Sequence, residues 1–189
     1  MKGRWYRTQR ATTVSVVAPS AAARRGLLQL GPLRFPCALG RSGSRVRKRE
    51  GDGATPIGDW PIRQVLYRAD RLALPPLAWP ARPIQRADGW CDDAAAPSYN
   101  RAVLLPCPAR AEQLWRDDGL YDVVVVLGHN DDPPVAGLGS AIFMHVARSD
   151  MAPTEGCVAL AREDLLDVLK DCDGATRLSV SLAAPPSVR

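Results

Sequence analysis

Tyr121-Asp122-Val123-Val124-Val125-Val126-Leu127-Gly128 is a continuous β-branched run. A strand with one wet face alternates apolar and polar residues, so this unbroken run reads as a strand buried on both faces, the centre of the fold. Upstream, Pro108 suits a helix start and Gly119 a helix stop, which predicts a short helix over residues 109–116. Downstream, a turn-rich link from Asp131-Asp132-Pro133-Pro134 to Gly137-Leu138-Gly139 leads into Ser140-Ala141-Ile142-Phe143-Met144-His145-Val146, a second strand-like run that carries a histidine. Residues 162–171 place Leu165, Leu166, Val168 and Leu169 behind Glu163 and Asp164, an amphipathic helix favourably set against its own dipole. Cys157 is therefore expected just upstream of a helix start. A closing strand over 177–182 puts Leu178, Val180 and Leu182 on one face.

The first half also reads as β structure. Candidate strands at 14–17, 26–30 and 33–39 are separated by glycine, proline and arginine and predict an antiparallel meander. The glycines and proline between Lys48 and Trp60 make a structured loop that feeds a strand over 61–67. From 68 to 100 the prolines at 75, 76, 80, 83 and 97 exclude regular helix or central strand, while Trp79, Trp90 and Tyr99 supply aromatic surface. This insertion either walls a substrate groove or covers the core with its tryptophans. The expected fold is mainly β with short helices, in a single domain over 1–189 with its core at about 10–182.

The 189 residues are 46% hydrophobic and 24% charged, with no uninterrupted apolar run long enough to span a membrane. A secretory signal needs a basic start followed directly by an apolar stretch. Met1 to Arg7 is basic, but the next residues are polar and Val14-Ser15-Val16-Val17 is short and strand-like. The 25 basic and 20 acidic residues leave a net charge of +5. These charges are spread along the chain, the dense Arg45-Val46-Arg47-Lys48-Arg49 alternates as on a solvated strand or hairpin, and no aromatic-interleaved basic stripe points to nucleic acid. The five cysteines, Cys37, Cys91, Cys107, Cys157 and Cys172, are an odd number without a C-x-x-C pair. In an oxidising compartment two bridges would leave one thiol free.

The densest reactive cluster runs His145-Val146-Ala147-Arg148-Ser149-Asp150-Met151-Ala152-Pro153-Thr154-Glu155-Gly156-Cys157-Val158-Ala159-Leu160. A thiol attacks a carbonyl as thiolate and needs a nearby base, which His145 can supply. Gly156 removes a side chain beside the sulfur, so backbone N–H groups there can form an oxyanion hole. Taken singly, a buried cysteine and a strand histidine are more often structural.

The order of these residues resembles a known signature. In the L,D-transpeptidases of the YkuD type a strand histidine precedes Ser/Thr-His-Gly-Cys-Ile/Val, and Thr154, Gly156, Cys157 and Val158 match it. Lys48-Arg49-Glu50-Gly51-Asp52-Gly53-Ala54-Thr55-Pro56-Ile57-Gly58 resembles the family's early segment. With Gly128-His129-Asn130-Asp131 and the strand through Phe143, the resemblance covers roughly residues 10–182.

The resemblance implies a YkuD-like β-sandwich catalytic domain that acts on peptidoglycan stem peptides. Cys157 would form a thioester with the donor stem, and an amine of the acceptor stem would resolve it, giving a 3,3 or a 1,3 cross-link. His145 would serve as base, amides near Glu155, Gly156 and Cys157 would hold the oxyanion, and Thr154 would support them. No metal or organic cofactor is implied. Arg148, Arg162, His129, Asn130 and Trp90 are the candidate substrate contacts, with His129 equally readable as a turn histidine bonded to Asp131 or Asp132. Peptidoglycan chemistry implies a periplasmic location, and a thioester-forming cysteine implies acylation by carbapenems.

This chain departs from the pattern in three places. Glu155 stands where most members have a second histidine, and a glutamate raises a nearby thiol's pKa unless an arginine neutralises it. Arg148 and Arg162 are the nearest arginines in sequence. Ala159 stands where an arginine often follows, and the shorter loop from His145 to Cys157 leaves the usual flap missing or replaced by the insertion at 68–100. Three other readings stay open: an L,D-carboxypeptidase or amidase with the same Cys157–His145 pair, a non-catalytic peptidoglycan-binding module, and a metal site of His129, His145 and Cys157, whose spacing matches no common zinc pattern.

Overall fold

The computed structural model describes residues 11–184, so the basic start from Met1 to Arg7 lies outside the described residues. In chain order come β1 (Ala11–Ala18), β2 (Arg25–Leu30), β3 (Leu33–Ala38), β4 (Ser44–Arg45), β5 (Thr55–Pro56) and the long β6 (Gly58–Tyr67). Next are β7 (Ala81–Pro83), β8 (Asp88–Cys91), β9 (Ala102–Leu104), β10 (Ala111–Gln113), β11 (Val123–Leu127) and β12 (Phe143–Val146). Then follow β13 (Val158–Leu160), the helix α1 (Arg162–Asp171) and β14 (Cys172–Leu182). The fold is mostly strand, as expected, with one helix among the described residues.

The meander forms as the sequence predicts, β1, β2 and β3 pairing antiparallel. The main sheet has nine strands in the order β11-β12-β13-β3-β2-β1-β14-β6-β7, and β11 also pairs with β6. That additional ladder joins the two ends, so every strand but β7 belongs to a closed hydrogen-bonded circuit, a flattened sandwich without a free edge at β11.

β11 is buried at every position and faces two apolar clusters by strict alternation. Val123, Val125 and Leu127 join the main core with Val14, Val16, Leu28 and Met144, and α1 contributes Leu165, Val168 and Leu169 to it. Val124 and Val126 point outward, into a second cluster with Phe143, Trp90, Tyr121 and Leu114. Valines whose alternate side chains both meet apolar surface explain why this run shows no polar alternation.

A three-stranded sheet, β10-β8-β9, belongs to the outer cover. Two sequence expectations are corrected here. Residues 109–116 form no helix, because Ala111, Glu112 and Gln113 pair with Cys91, Trp90 and Gly89. A cross-strand ladder and the burial of Leu114 outweigh the local signals of Pro108 and Gly119. The insertion at 68–100 is not irregular throughout, since it contributes β7 and β8. β7 ends at Pro83 and pairs only with β6, an edge position where a missing N–H is tolerated. Trp79 packs into the main core and Trp90 into the outer cluster, so these tryptophans cover the core.

Candidate active site

β12 and β13 run parallel, with Met144 opposite Val158 and His145 opposite Ala159. Since side chains alternate along a strand, Met144 and Val158 face the main core, while His145 and Ala159 face the outer side together with Phe143 and Cys157. Cys157 is expected at a helix start, but β13 intervenes before α1, and the thiol is presented from the end of a strand. Both Cys157 and His145 line one cavity of about 610 Å³ between the main sheet and its cover.

The thiol is held in place by backbone. Cys157 Sγ donates to Ala141 O at 3.3 Å, and the Phe143 N–H donates to the sulfur at 3.4 Å. Ala141 adopts φ of 52°, a left-handed conformation uncommon for a residue with a side chain, at the bend before β12. His145 Nδ1 lies 2.9 Å from its neighbour's carbonyl, Val146 O. That contact assigns the proton to Nδ1 and leaves Nε2 as a base. The Tyr121 ring stands edge-on to the imidazole, with centroids 5.3 Å apart.

Electrostatically the pair rests neutral. Burial lowers the His145 pKa to about 4, against the raising effect of the Val146 carbonyl. Burial pushes the Cys157 thiol up to about 12, and the negative charge of Glu112 adds to the effect. Burial disfavours the charged form of each group, so thiol and imidazole do not exchange their proton at rest.

The turn before Cys157 is built from its own sequence. Thr154 Oγ1 donates to Cys157 O at 2.7 Å and accepts the Gly156 N–H at 3.1 Å. Gly156 has φ of +136°, and a Cβ there would lie 2.8 Å from Ala54 O, so only glycine fits. The segment also leans on the chain just after β3, where Thr154 N–H donates to Leu39 O at 2.9 Å and Arg41 N–H to Thr154 O at 2.7 Å. Glu155 is thereby carried to the surface, where Arg41 Nε binds its carboxylate at 2.7 Å. The expectation that Arg148 or Arg162 neutralises Glu155 is corrected by this contact: strand pairing, not sequence proximity, selects the partner.

The cavity carries both signs of charge. Lys48, Arg110, Arg116 and Arg148 line it, as do Glu50, Asp92, Glu112 and Glu155. Lys48 departs from the solvated stretch expected for residues 45–49. It is 6% exposed, and its Nζ bonds Asp52 Oδ1 at 2.5 Å and Arg49 O at 3.1 Å. Glu50 accepts hydrogen bonds from Tyr99 and Ser140, which ties the insertion to the cavity wall. Glu112 accepts one from the Tyr121 hydroxyl at 2.6 Å.

A model of the L,D-transpeptidase catalytic domain family, YkuD, matches residues 23–180. The chain belongs to that family. Among solved structures, this YkuD domain is similar to the crystal structure of Mycobacterium tuberculosis L,D-transpeptidase 1, at 11% identity and a TM-score of 0.38, over 89% of this chain. The chain spans 62% of the length of that structure. No curated protein matches it.

The YkuD domain brings together Cys157, His145, Thr154, Glu155 and Arg148 around one cavity, with Gly156 in the turn beside the thiol. The other sequence candidates lie elsewhere. Arg162 lines a separate hollow, 3.8 Å from Asp122. Trp90 is 8% exposed, edge-on to Phe143 at 5.2 Å, and donates to Asn100 Oδ1 at 2.9 Å. Asn130 staples its own loop through Val135 and Gly139. His129 bonds neither Asp131 nor Asp132; its Nε2 lies 3.0 Å from Leu138 O and its ring meets Trp60 edge-on.

Glu112, Tyr121, Lys48 and Glu50 were not among the sequence candidates. Glu112 lies in the stretch where Pro108 and Gly119 predict a helix, and Tyr121 precedes β11 at a position that strand alternation would set on the inner face with Val123, whereas it packs with Phe143 in the outer cluster. Among the described residues all five cysteines are free thiols, and no three His, Cys, Asp or Glu side chains group to hold a metal ion. Among the described residues no helix is long and apolar enough to cross a membrane.

Proposed function

We propose that this YkuD domain is a cysteine acyltransferase that forms peptidoglycan cross-links in the periplasm through a Cys157 thioester. The observation that carries this reading is the neutral Cys157–His145 pair on one face of adjacent strands, inside a cavity with charges of both signs. A stem peptide is itself dense in carboxylates and amines, and such a cavity complements it better than an apolar one would.

The sulfur attacks the donor carbonyl while its proton passes to His145 Nε2. With the thiol at about 12 and the imidazole at about 4, a free ion pair is strongly uphill, so the proton moves as the S–C bond forms. Gly156 N–H already donates to Thr154, which leaves the flanking amides of Glu155 and Cys157 to hold the oxyanion. The C–N bond then breaks, His145 returns the proton to the departing amine, and an acceptor amine resolves the thioester to a 3,3 or 1,3 link. The same nucleophile opens a strained lactam ring, so a carbapenem should add its whole mass to Cys157.

The test is mass spectrometry of stem peptides incubated with the wild type, Cys157→Ala and His145→Ala. Cross-linked dimers from the wild type alone support transfer. Shortened monomers alone would replace transfer with hydrolysis, and no product together with no acyl adduct on Cys157 would leave a binding module.

A further inference from the structure

A thioester cycle run with an ammonium acceptor has one proton too many. The thiol proton leaves with the first amine, so regenerating the thiol consumes one proton from the acceptor. An acceptor that arrives as R–NH3⁺ and ends as an amide N–H loses two. His145 can relay one of them to the sulfur, and the second needs another base.

The carboxylates lining the cavity are not equivalent. Glu155 is bound by Arg41 at 2.7 Å and Asp92 by Arg110 at 3.0 Å, pairings that weaken them as bases. Glu50 takes hydrogen bonds from both Tyr99 and Ser140 on one oxygen and from the Gly51 amide on the other. Glu112 differs. Its Oε1 accepts only the Tyr121 hydroxyl, and its Oε2 takes no hydrogen bond from the described residues. The nearest guanidinium, Arg116, stands 3.7 Å away and is itself held by Asp118 at 2.5 Å. Besides these, Asp92, Tyr121 and the Cys157 thiol face the carboxyl. The side chain is 29% exposed, so an acceptor can reach it, and one phenol ring separates it from His145.

We propose that Glu112 is a second base of the cavity, which binds the acceptor's ammonium and takes its surplus proton before the amine attacks the thioester. The inference rests on the transpeptidase reading. The acceptor is thereby specified as a primary ammonium: R–NH3⁺ and Glu112 carboxylate become R–NH2 and the carboxylic acid, the amine attacks, its second proton passes through His145 to the sulfur, and the acid later releases its proton to water through the cavity mouth. Burial, which raises the Glu112 carboxyl above the ordinary range, suits it to that step.

The experiment compares the wild type, Glu112→Gln and Glu112→Asp on a stem-peptide donor with a diaminopimelate-containing acceptor, following acyl adduct and dimer separately by mass. Glu112→Gln keeps an oxygen for the Tyr121 hydroxyl. Its adduct should still form, dimers should appear about a hundredfold more slowly and recover at high pH, and Glu112→Asp should restore part of the rate. Hydroxylamine, a nucleophile already neutral at pH 7, should release the adduct from the Gln variant as fast as from the wild type. Equal dimer formation by the wild type and Glu112→Gln would overturn the inference, as would loss of the adduct in a folded variant. No adduct on the wild type would remove the transferase reading itself, and this inference with it.

Discussion

The Thr154 hydroxyl donates to the Cys157 carbonyl at 2.7 Å while accepting the Gly156 N–H, so one side chain ties the Glu155–Gly156 peptide to the Cys157–Val158 peptide across the turn that carries the thiol. Thr154→Val keeps the shape and loses both bonds. We expect a loss of about 1–3 kcal/mol in denaturant unfolding and a slower acylation of Cys157, with Thr154→Ser retaining both properties.

Gly156→Ala tests the same turn from its backbone. A methyl group 2.8 Å from Ala54 O, on a residue with φ of +136°, should cost about 1–3 kcal/mol and shift the thiol. Unfolding curves and the rate of thiol alkylation measure the two effects. Unchanged stability would contradict the geometry.

The neutral resting pair has a pH signature. Unfolded His145 takes up a proton below its ordinary 6.5, whereas the folded ring does so only near 4. Unfolding therefore binds a proton in that window. The stabilisation, of the order of 3 kcal/mol, is complete above pH 6.5 and lost as pH falls through about 4. Acid unfolding of the wild type against His145→Phe checks it. Cys157, with its thiol at about 12, should react sluggishly with iodoacetamide at neutral pH and accelerate only in strong alkali.

Arg41 and Glu155 form a pair with side chains 53% and 76% exposed. Water and salt screen such a pair, so Glu155→Gln should change stability by less than about 1 kcal/mol and the alkylation rate of Cys157 only slightly. A large gain in thiol reactivity would mean that this carboxylate reaches the sulfur more strongly than its surface position allows.

Trp90 distinguishes a substrate contact from a packing residue. Trp90→Ala removes its edge-on contact with Phe143 and leaves Asn100 Oδ1 without its indole donor, although the Ala141 amide still reaches that oxygen. We expect a loss of about 3–5 kcal/mol in thermal or denaturant unfolding. Full stability with weakened peptide binding would be the opposite result.

The valine run, the meander and α1 were legible because their patterns depend on burial and periodicity, which a sequence carries directly. The motif around Cys157 was legible because Gly156 answers a local backbone need. What escaped reading came from pairings between distant segments. Arg41 reaches Glu155 because the chain just after β3 bridges Thr154 at Gly40, and neither residue signals the other along the chain. The local punctuation around Glu112 predicts a helix, whereas the ladder to Trp90 that makes it a strand joins distant segments. Lys48 looked like one charge in a solvated alternation, and only its ion pair with Asp52 makes its burial tolerable.

The parallel ladder between β1 and β14 sets Ala11 beside Cys172 and Ala18 beside Leu182. The first residue of β1 and the last of β14 therefore sit at opposite ends of this ladder, separated by about 23 Å of strand rise. Two modules fused on either side of this domain would be held apart by it as by a spacer. A circular permutant would need a tether spanning that whole length, where an antiparallel closure would have needed only a tight turn.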